Sequence, residues 1–259
     1  MPSHDVNLAN TPANNTILLC ESCGYPIGDL PASSACPECS RLIADSLPAS
    51  RPGSPWQTKP GFVSWLDTAI RLVRAPGSLF ASIRMTSRGG NRLLLINLTL
   101  AGLLAAAPWV GVLWFDPTRG SASGPILLIR VPLLILYAAV FALLFWILTR
   151  VECFGIEFIA RRRGWRLLPA AARQVCAHAS YGWILAALLL DVGLGLSQLL
   201  PVGGQQVTGR TVTVEVLNAI LALLPGAPPL IGFFLGLFAF EWLVYVGVRA
   251  CRWANAVAV

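Results

Sequence analysis

Charge is scarce in this chain. Only 12% of its 259 residues are Asp, Glu, Lys or Arg, about half the share of an average soluble domain. Lysine is all but missing, with Lys59 alone beside 18 arginines. A chain that is 56% hydrophobic and so thinly charged does not solvate itself, which excludes an ordinary soluble domain. Histidine is limited to His4 and His178. No P-loop, GxSxG or HExxH occurs, so nothing in the pattern points to an enzyme. The opening MPSHDVNLANTPANNTILLC lacks the basic and apolar regions of a secretory signal peptide. No internal repeat is evident. The seven cysteines are an odd number and include two CxxC pairs. That argues against a disulfide framework and for metal in a reducing compartment.

What is present begins with CESCGYPIGDLPASSACPEC. Cys20, Cys23, Cys36 and Cys39 form C-x2-C-x12-C-x2-C. Each CxxC sets two thiolates on one tight turn, and two such turns complete a tetrahedral S4 site. Zinc is the default metal, and iron in a rubredoxin-like site is the alternative. Between Cys20 and Cys39 stand Glu21, Asp29 and Glu38 but no Lys or Arg. A nucleic-acid reader needs basic groups to displace counterions, so this module is expected to contact protein and not nucleic acid. It resembles the short zinc ribbons of CxxCGY…CPxCG pattern that head many bacterial membrane proteins. It departs from them at Ser40, where the pattern has Gly.

Around the module, residues 1–16 read as disordered and 17–42 as the ribbon. Residues 43–60, rich in Pro and Ser, read as a semi-extended linker. The membrane domain then occupies 61–259. Its lead-in, 62–85, places Phe62, Trp65, Leu66, Ala69, Ile70 and Val73 at helical spacing, with Asp67, Arg71 and Arg74 elsewhere. That pattern suits a helix in the head-group plane, or one capping a bundle. Four apolar blocks follow near 93–115, 126–149, 181–200 and 230–248, each able to cross a bilayer core of about 30 Å. Val212–Leu224 has 13 residues, about 20 Å of helix, and reads as a short or re-entrant piece unless it is a fifth span. The expected fold is therefore an all-α integral membrane bundle of four full spans, possibly five, behind a small zinc ribbon.

Arginine placement sets the expected topology. Arg71, Arg74, Arg84, Arg88 and Arg92 precede the first span, and Arg150 to Arg173 crowd the loop after the second. By the positive-inside rule the N-terminus is cytosolic, and the resemblance to bacterial ribbon-headed proteins implies a bacterial inner membrane. Arg161, Arg162 and Arg163 read as a topology anchor with weak affinity for anionic lipid.

Ionisable groups inside the spans are costly and so are candidate sites. Ser180, Asp191 and Gln198 fall on one helical stripe, and Glu241 and Tyr245 on another. Facing stripes would form a proton or cation site; the alternative is carboxyls hydrogen-bonded across the bundle. Gly232 and Gly236 permit close helix packing. His178, at the edge of the third span, reads as interfacial.

From Trp65 onward, through "RAPGSLFASI" and a compact set of spans, the layout resembles the Yip-type membrane family. The resemblance covers about residues 62–250 and implies an integral membrane protein, linked in eukaryotes to trafficking and small GTPases. The family arrangement has five spans. Three functions are expected in order: a membrane scaffold or adaptor whose ribbon docks an unidentified cytosolic protein, a small transporter or ion pathway using Asp191 and Glu241, and a membrane-shaping protein acting through 62–85. The pattern specifies no oligomeric state.

Overall fold

The hydrophobic stripe at 62–73 organises the side of the molecule that carries the cysteines. In the computed structural model, which describes residues 17–85, 89–114, 125–199 and 227–255, this stripe forms α2 (Phe62–Arg74). The helix has three faces. Thr68 and Leu72 are buried against the protein. Asp67 and Arg71 form an i,i+4 ion pair on a second face. Phe62, Val63 and Val73, 76%, 78% and 82% exposed, line the third with Leu66 and Ile70. The short α1 (Pro55–Thr58) precedes α2, and α3 (Pro76–Ser82) follows it, opened by the proline at its first turn.

Four long helices make the body: α4 (Gly90–Trp114), α5 (Pro125–Arg162), α7 (Tyr181–Leu199) and α8 (Ala227–Cys251). The shorter α6 (Pro169–Ala179) runs into α7 through Ser180, itself in helical conformation. By length and composition four segments can cross a membrane: Gly90–Trp109, Arg130–Arg162, Pro169–Ser197 and Ala227–Cys251. Among the described residues every regular element is helical, and strand-like pairing is confined to two isolated bridges in the cysteine module. The block Val212–Leu224 and the N-terminal residues 1–16 lie outside the described residues.

Two expectations need correction. The basic stretch after Thr149 is not a loop. α5 has 38 residues, about 57 Å, because no proline interrupts it after Pro132. It stops where Gly164 takes φ +68°. There Trp165 N–H donates to Ala160 C=O (2.9 Å) and Gly164 N–H to Arg161 C=O (3.2 Å), the two bonds of a Schellman end. Nor is 43–60 a semi-extended linker. It folds into two 3-10 turns, Ile43–Ser46 and Pro48–Ser50, followed by α1. Ser46, Arg51, Ser54 and Trp56 are buried. Ser54 and Gln57 cap α1 reciprocally, which satisfies amides that an extended chain would have left to water.

Close packing of α7 on α8 forms the centre. A Cβ on Gly182 would stand 2.6 Å from Phe240 Cα, and Gly232 and Gly236 abut the backbone of Leu189 and Ala186. The small residues thus serve packing within one chain. Trp183 stacks on Phe240 at 4.5 Å and on Phe145 at 5.0 Å, and its indole N–H donates to Thr149 Oγ1 (2.9 Å). Across α2, α4 and α6–α7 runs a buried polar chain. Trp65 Nε1 donates to Asn97 Oδ1 (2.7 Å), Asn97 Nδ2 to Ser180 Oγ (2.9 Å), and Tyr181 Oη to Trp65 C=O (2.8 Å).

Candidate metal centre and its mount

The cysteine module is built twice over. Cys20 N–H donates to Tyr25 C=O and Cys36 N–H to Arg41 C=O, both at 2.8 Å. Gly24 N–H returns to Cys20 C=O (2.8 Å) and Ser40 N–H to Cys36 C=O (2.9 Å). The bridges Leu19–Pro26 and Ala35–Leu42 complete the match. This internal repeat was hidden because only the cysteines and the closing isoleucines, Ile27 and Ile43, keep their identity between copies. Both turns need a left-handed residue: Gly24 has φ +83° and Ser40 φ +59°. Ser40 therefore adopts the conformation that glycine takes more cheaply, and the second turn closes as tightly as the first.

The four thiols converge. All their Sγ atoms lie within 4.8 Å of one another, with Cys20–Cys39 and Cys23–Cys36 at 3.6 Å. A tetrahedral metal with bonds of about 2.3 Å sets sulfurs about 3.8 Å apart, and a disulfide would draw them to about 2 Å. The donor set therefore fits a four-coordinate metal ion. Burial works to raise the Cys20 thiol, but the amides of Cys23 and Ser22 and the neighbouring thiols bring it down to about 6. Burial and the thiols of Cys36, Cys39 and Cys20 push Cys23 up to about 12. One early thiolate with a reluctant neighbour is what close thiols give before a cation arrives, and metal uptake then releases protons. The buried Ser46 hydroxyl reaches Cys20 Sγ (3.9 Å) and accepts from Glu21 N–H (3.2 Å).

The first turn is fastened to the bundle. Glu21 and Arg51 form a bidentate ion pair at 2.9–3.0 Å, their side chains only 7% and 3% exposed. Arg51 Nη1 also donates to Phe80 C=O (3.3 Å) and Ile83 C=O (3.1 Å) at the end of α3. Burial opposes the charge on Arg51, and the Glu21 carboxylate beside it more than offsets this, so its pKa is raised. Asn255, beyond α8, accepts from Leu19 N–H (3.1 Å) and donates to Leu19 C=O and Ser46 C=O (2.7 Å each). Arg166 bonds Asn255 Oδ1 (2.7 Å) and the carbonyl of Ile17. Arg252 donates to Ser22 C=O (3.2 Å), and the Trp253 ring lies over Gly24. His178 is not interfacial. It is fully buried, its Nδ1 donates to Gln174 C=O (2.8 Å), and its Nε2 accepts from Ser54 Oγ (2.9 Å). A carbonyl only accepts, which fixes this tautomer.

The candidate residues of the long helices do not converge. α7 and α8 are antiparallel, with Gly182 against Phe240 and Gly193 against Pro228 and Pro229. Glu241 thus stands level with the start of α7, and Asp191 near the start of α8, about 15 Å away along the axis. Asp191 is half-buried and its Oδ1 is buried without a hydrogen-bond partner. Ser180 is taken up by Asn97, and the Gln198 side chain lies outside the described residues. Glu241 and Tyr245 line one cleft with Glu152 of α5. Arg161, Arg162 and Arg163 are exposed; Arg162 lies over Phe158 (4.7 Å) and Arg163 over Trp165 (5.2 Å).

Arg51, Asn255, Asn97 and Glu152 were not legible as site residues. The one local signal was the S-x-x-Q of Ser54 and Gln57, which marks a helix start. Against known protein families, curated proteins and solved structures, the chain finds no match.

Proposed function

We propose that this is an integral membrane scaffold whose zinc ribbon is a fixed docking head for a cytosolic protein. The supporting observation is the asymmetry of the mount. Glu21, Ser22 and Gly24 are held by Arg51, Arg252 and Trp253, while Pro37, Glu38 and Leu42 of the second turn are exposed. A rigid mount presents that outer turn at little entropic cost, which favours binding. Asp29 and Glu38 without a basic residue between Cys20 and Cys39 favour a protein partner over nucleic acid. Zinc suits the closed S4 set in a reducing cytosol, with iron as the alternative. The apolar face of α2 beside Arg71 and Arg74 suits the head-group layer on the same side. The arginine distribution favours a cytosolic ribbon, its resemblance to the ribbons that head bacterial membrane proteins favours a bacterial inner membrane, and the lead-in followed by compact spans supports the Yip-like reading.

Photo-crosslinking residues at Glu38 and Leu42, introduced in the native membrane, test this. One discrete protein adduct is expected at both positions, and it disappears in Cys36→Ser/Cys39→Ser while the bundle stays folded. No adduct, or one indifferent to the ribbon variant, removes the adaptor reading. A second reading, an ion or proton pathway, is favoured by the unpartnered oxygen of Asp191. It predicts that Asp191→Asn alone abolishes flux in proteoliposomes, whatever residue stands at Glu241.

A further inference from the structure

α5 leans on α4 and α6, and α8 on α7, so a cleft of about 240 Å³ remains between α5 and α8. Glu152 and Glu241 enter it from the two facing helices. Arg163 and Arg249 line the same cleft. Their guanidiniums are held on aromatic faces, Arg163 over Trp165 at 5.2 Å and Arg249 over Tyr245 at 5.8 Å. Arg249 also donates to Tyr245 Oη (3.2 Å).

Two acids and two bases in one cleft would be expected to neutralise each other, yet they do not. Among the described residues the ion pairs are Arg51–Glu21 and Arg71–Asp67. The four ionisable groups of the cleft stay more than a salt-bridge length apart, and its other walls are apolar. A ligand that carries both signs satisfies all four at once, whereas a simple anion or cation leaves one pair unanswered. The surrounding surface narrows the class. Phe158 and Ile159 of α5 and Tyr245 of α8 are 49%, 50% and 55% exposed, so the cleft opens on an apolar flank.

We propose that this cleft holds the headgroup of a zwitterionic aminophospholipid, with its phosphate on Arg249, Tyr245 and Arg163 and its ammonium between Glu152 and Glu241. The acyl chains then run down the apolar flank of α5 and α8. Planar guanidiniums match phosphate oxygens. Two carboxylates offer an ammonium more acceptors than it has protons, which a quaternary amine cannot use. The inference rests on the long helices lying in a bilayer and is independent of what the ribbon docks.

Native mass spectrometry of the metal-loaded chain, titrated with phosphatidylethanolamine, phosphatidylcholine or phosphatidylglycerol, tests it. One phosphatidylethanolamine is expected to bind roughly tenfold tighter than either competitor, the scale of a charge-assisted hydrogen bond. Glu152→Gln/Glu241→Gln should erase that preference, and Arg249→Gln should weaken every lipid. Metal content and the thermal transition, unchanged in these variants, report that they are folded. Phosphatidylglycerol binding as well as phosphatidylethanolamine, or a glutamine pair that keeps the preference, overturns the proposal. So does displacement of the lipid by equimolar O-phosphoethanolamine, since a soluble headgroup would then be the true occupant. If the lipid test fails while the Glu38 crosslink persists, the scaffold reading survives and only the cleft is reassigned.

Discussion

The two cysteine turns have the same backbone and opposite surroundings. In the first, Leu19, Ser22 and Gly24 are engaged by Asn255, Arg252 and Trp253 beyond α8, and Glu21 by Arg51 and by the Asn255 amide. In the second, Arg41 bonds only as far as Asp45, and Pro37, Glu38 and Ser40 face out. The comparison separates what a knuckle needs from what a mount needs. Both turns need two thiols and a left-handed residue. Only the first also needs that residue to have no side chain, because the Trp253 ring would meet its Cβ at 2.8 Å. Nothing comparable closes over Ser40, so a serine is tolerated there.

The comparison breaks most completely if the metal is withdrawn. Cys36→Ser/Cys39→Ser should take bound metal from one ion per chain to none by elemental analysis, forfeiting binding of the order of 10 kcal/mol. Hydrogen exchange should then show the Ser40 amide losing protection far more than the Leu19 amide, which Asn255 still holds. Equal loss at both would mean the mount depends on the metal.

Next comes the buried ion pair. Arg51→Met leaves Glu21 buried without its partner and should cost about 3–5 kcal/mol, read from the thermal transition in detergent. Glu21→Gln/Arg51→Met should recover much of it; a double variant as unstable as the single one would deny that the lone carboxylate is the cause.

Gly24→Ser imposes both a strained φ and the Trp253 collision. A loss of about 2 kcal/mol is expected, with partial rescue by Trp253→Ala. The smallest effect is the converse change. Ser40→Gly relieves a left-handed non-glycine residue and should slow metal loss to a chelator, a gain of up to about 1 kcal/mol. If Gly24→Ser proves as mild as Ser40→Gly, the two turns are alike after all.

The four-cysteine cluster and the four long helices were legible because each is written locally, in cysteine spacing and in apolar length. The mount was not. Glu21 and Arg51 are thirty positions apart, and nothing between them marks a pair. Composition misled at 43–60, where prolines and serines read as extended chain but serve as starts and caps of short helical turns. Charge misled after Thr149, where Arg150 and the arginines after it read as a loop although the helix runs on to Arg162. Asp191 and Glu241 stood out as carboxyls within apolar blocks, but helical stripes on separate helices carry no information on relative depth. That came only from the glycine contacts of α7 on α8.

Asn255 gives the mount a place in time. Leu19 leaves the ribosome long before Asn255, which lies 236 positions later, and a growing chain folds from its N-terminus first. The cysteine turns can close on a metal while the long helices are still being made, but the seat for the first turn does not exist until α8 has been translated and laid against α7. Contacts so distant in sequence form late. Until then the cysteine module is a folded bead hanging from an unfinished bundle; afterwards it is locked. A seated module is therefore a mark of completed assembly, and any protein that recognises the seated form reads only finished molecules.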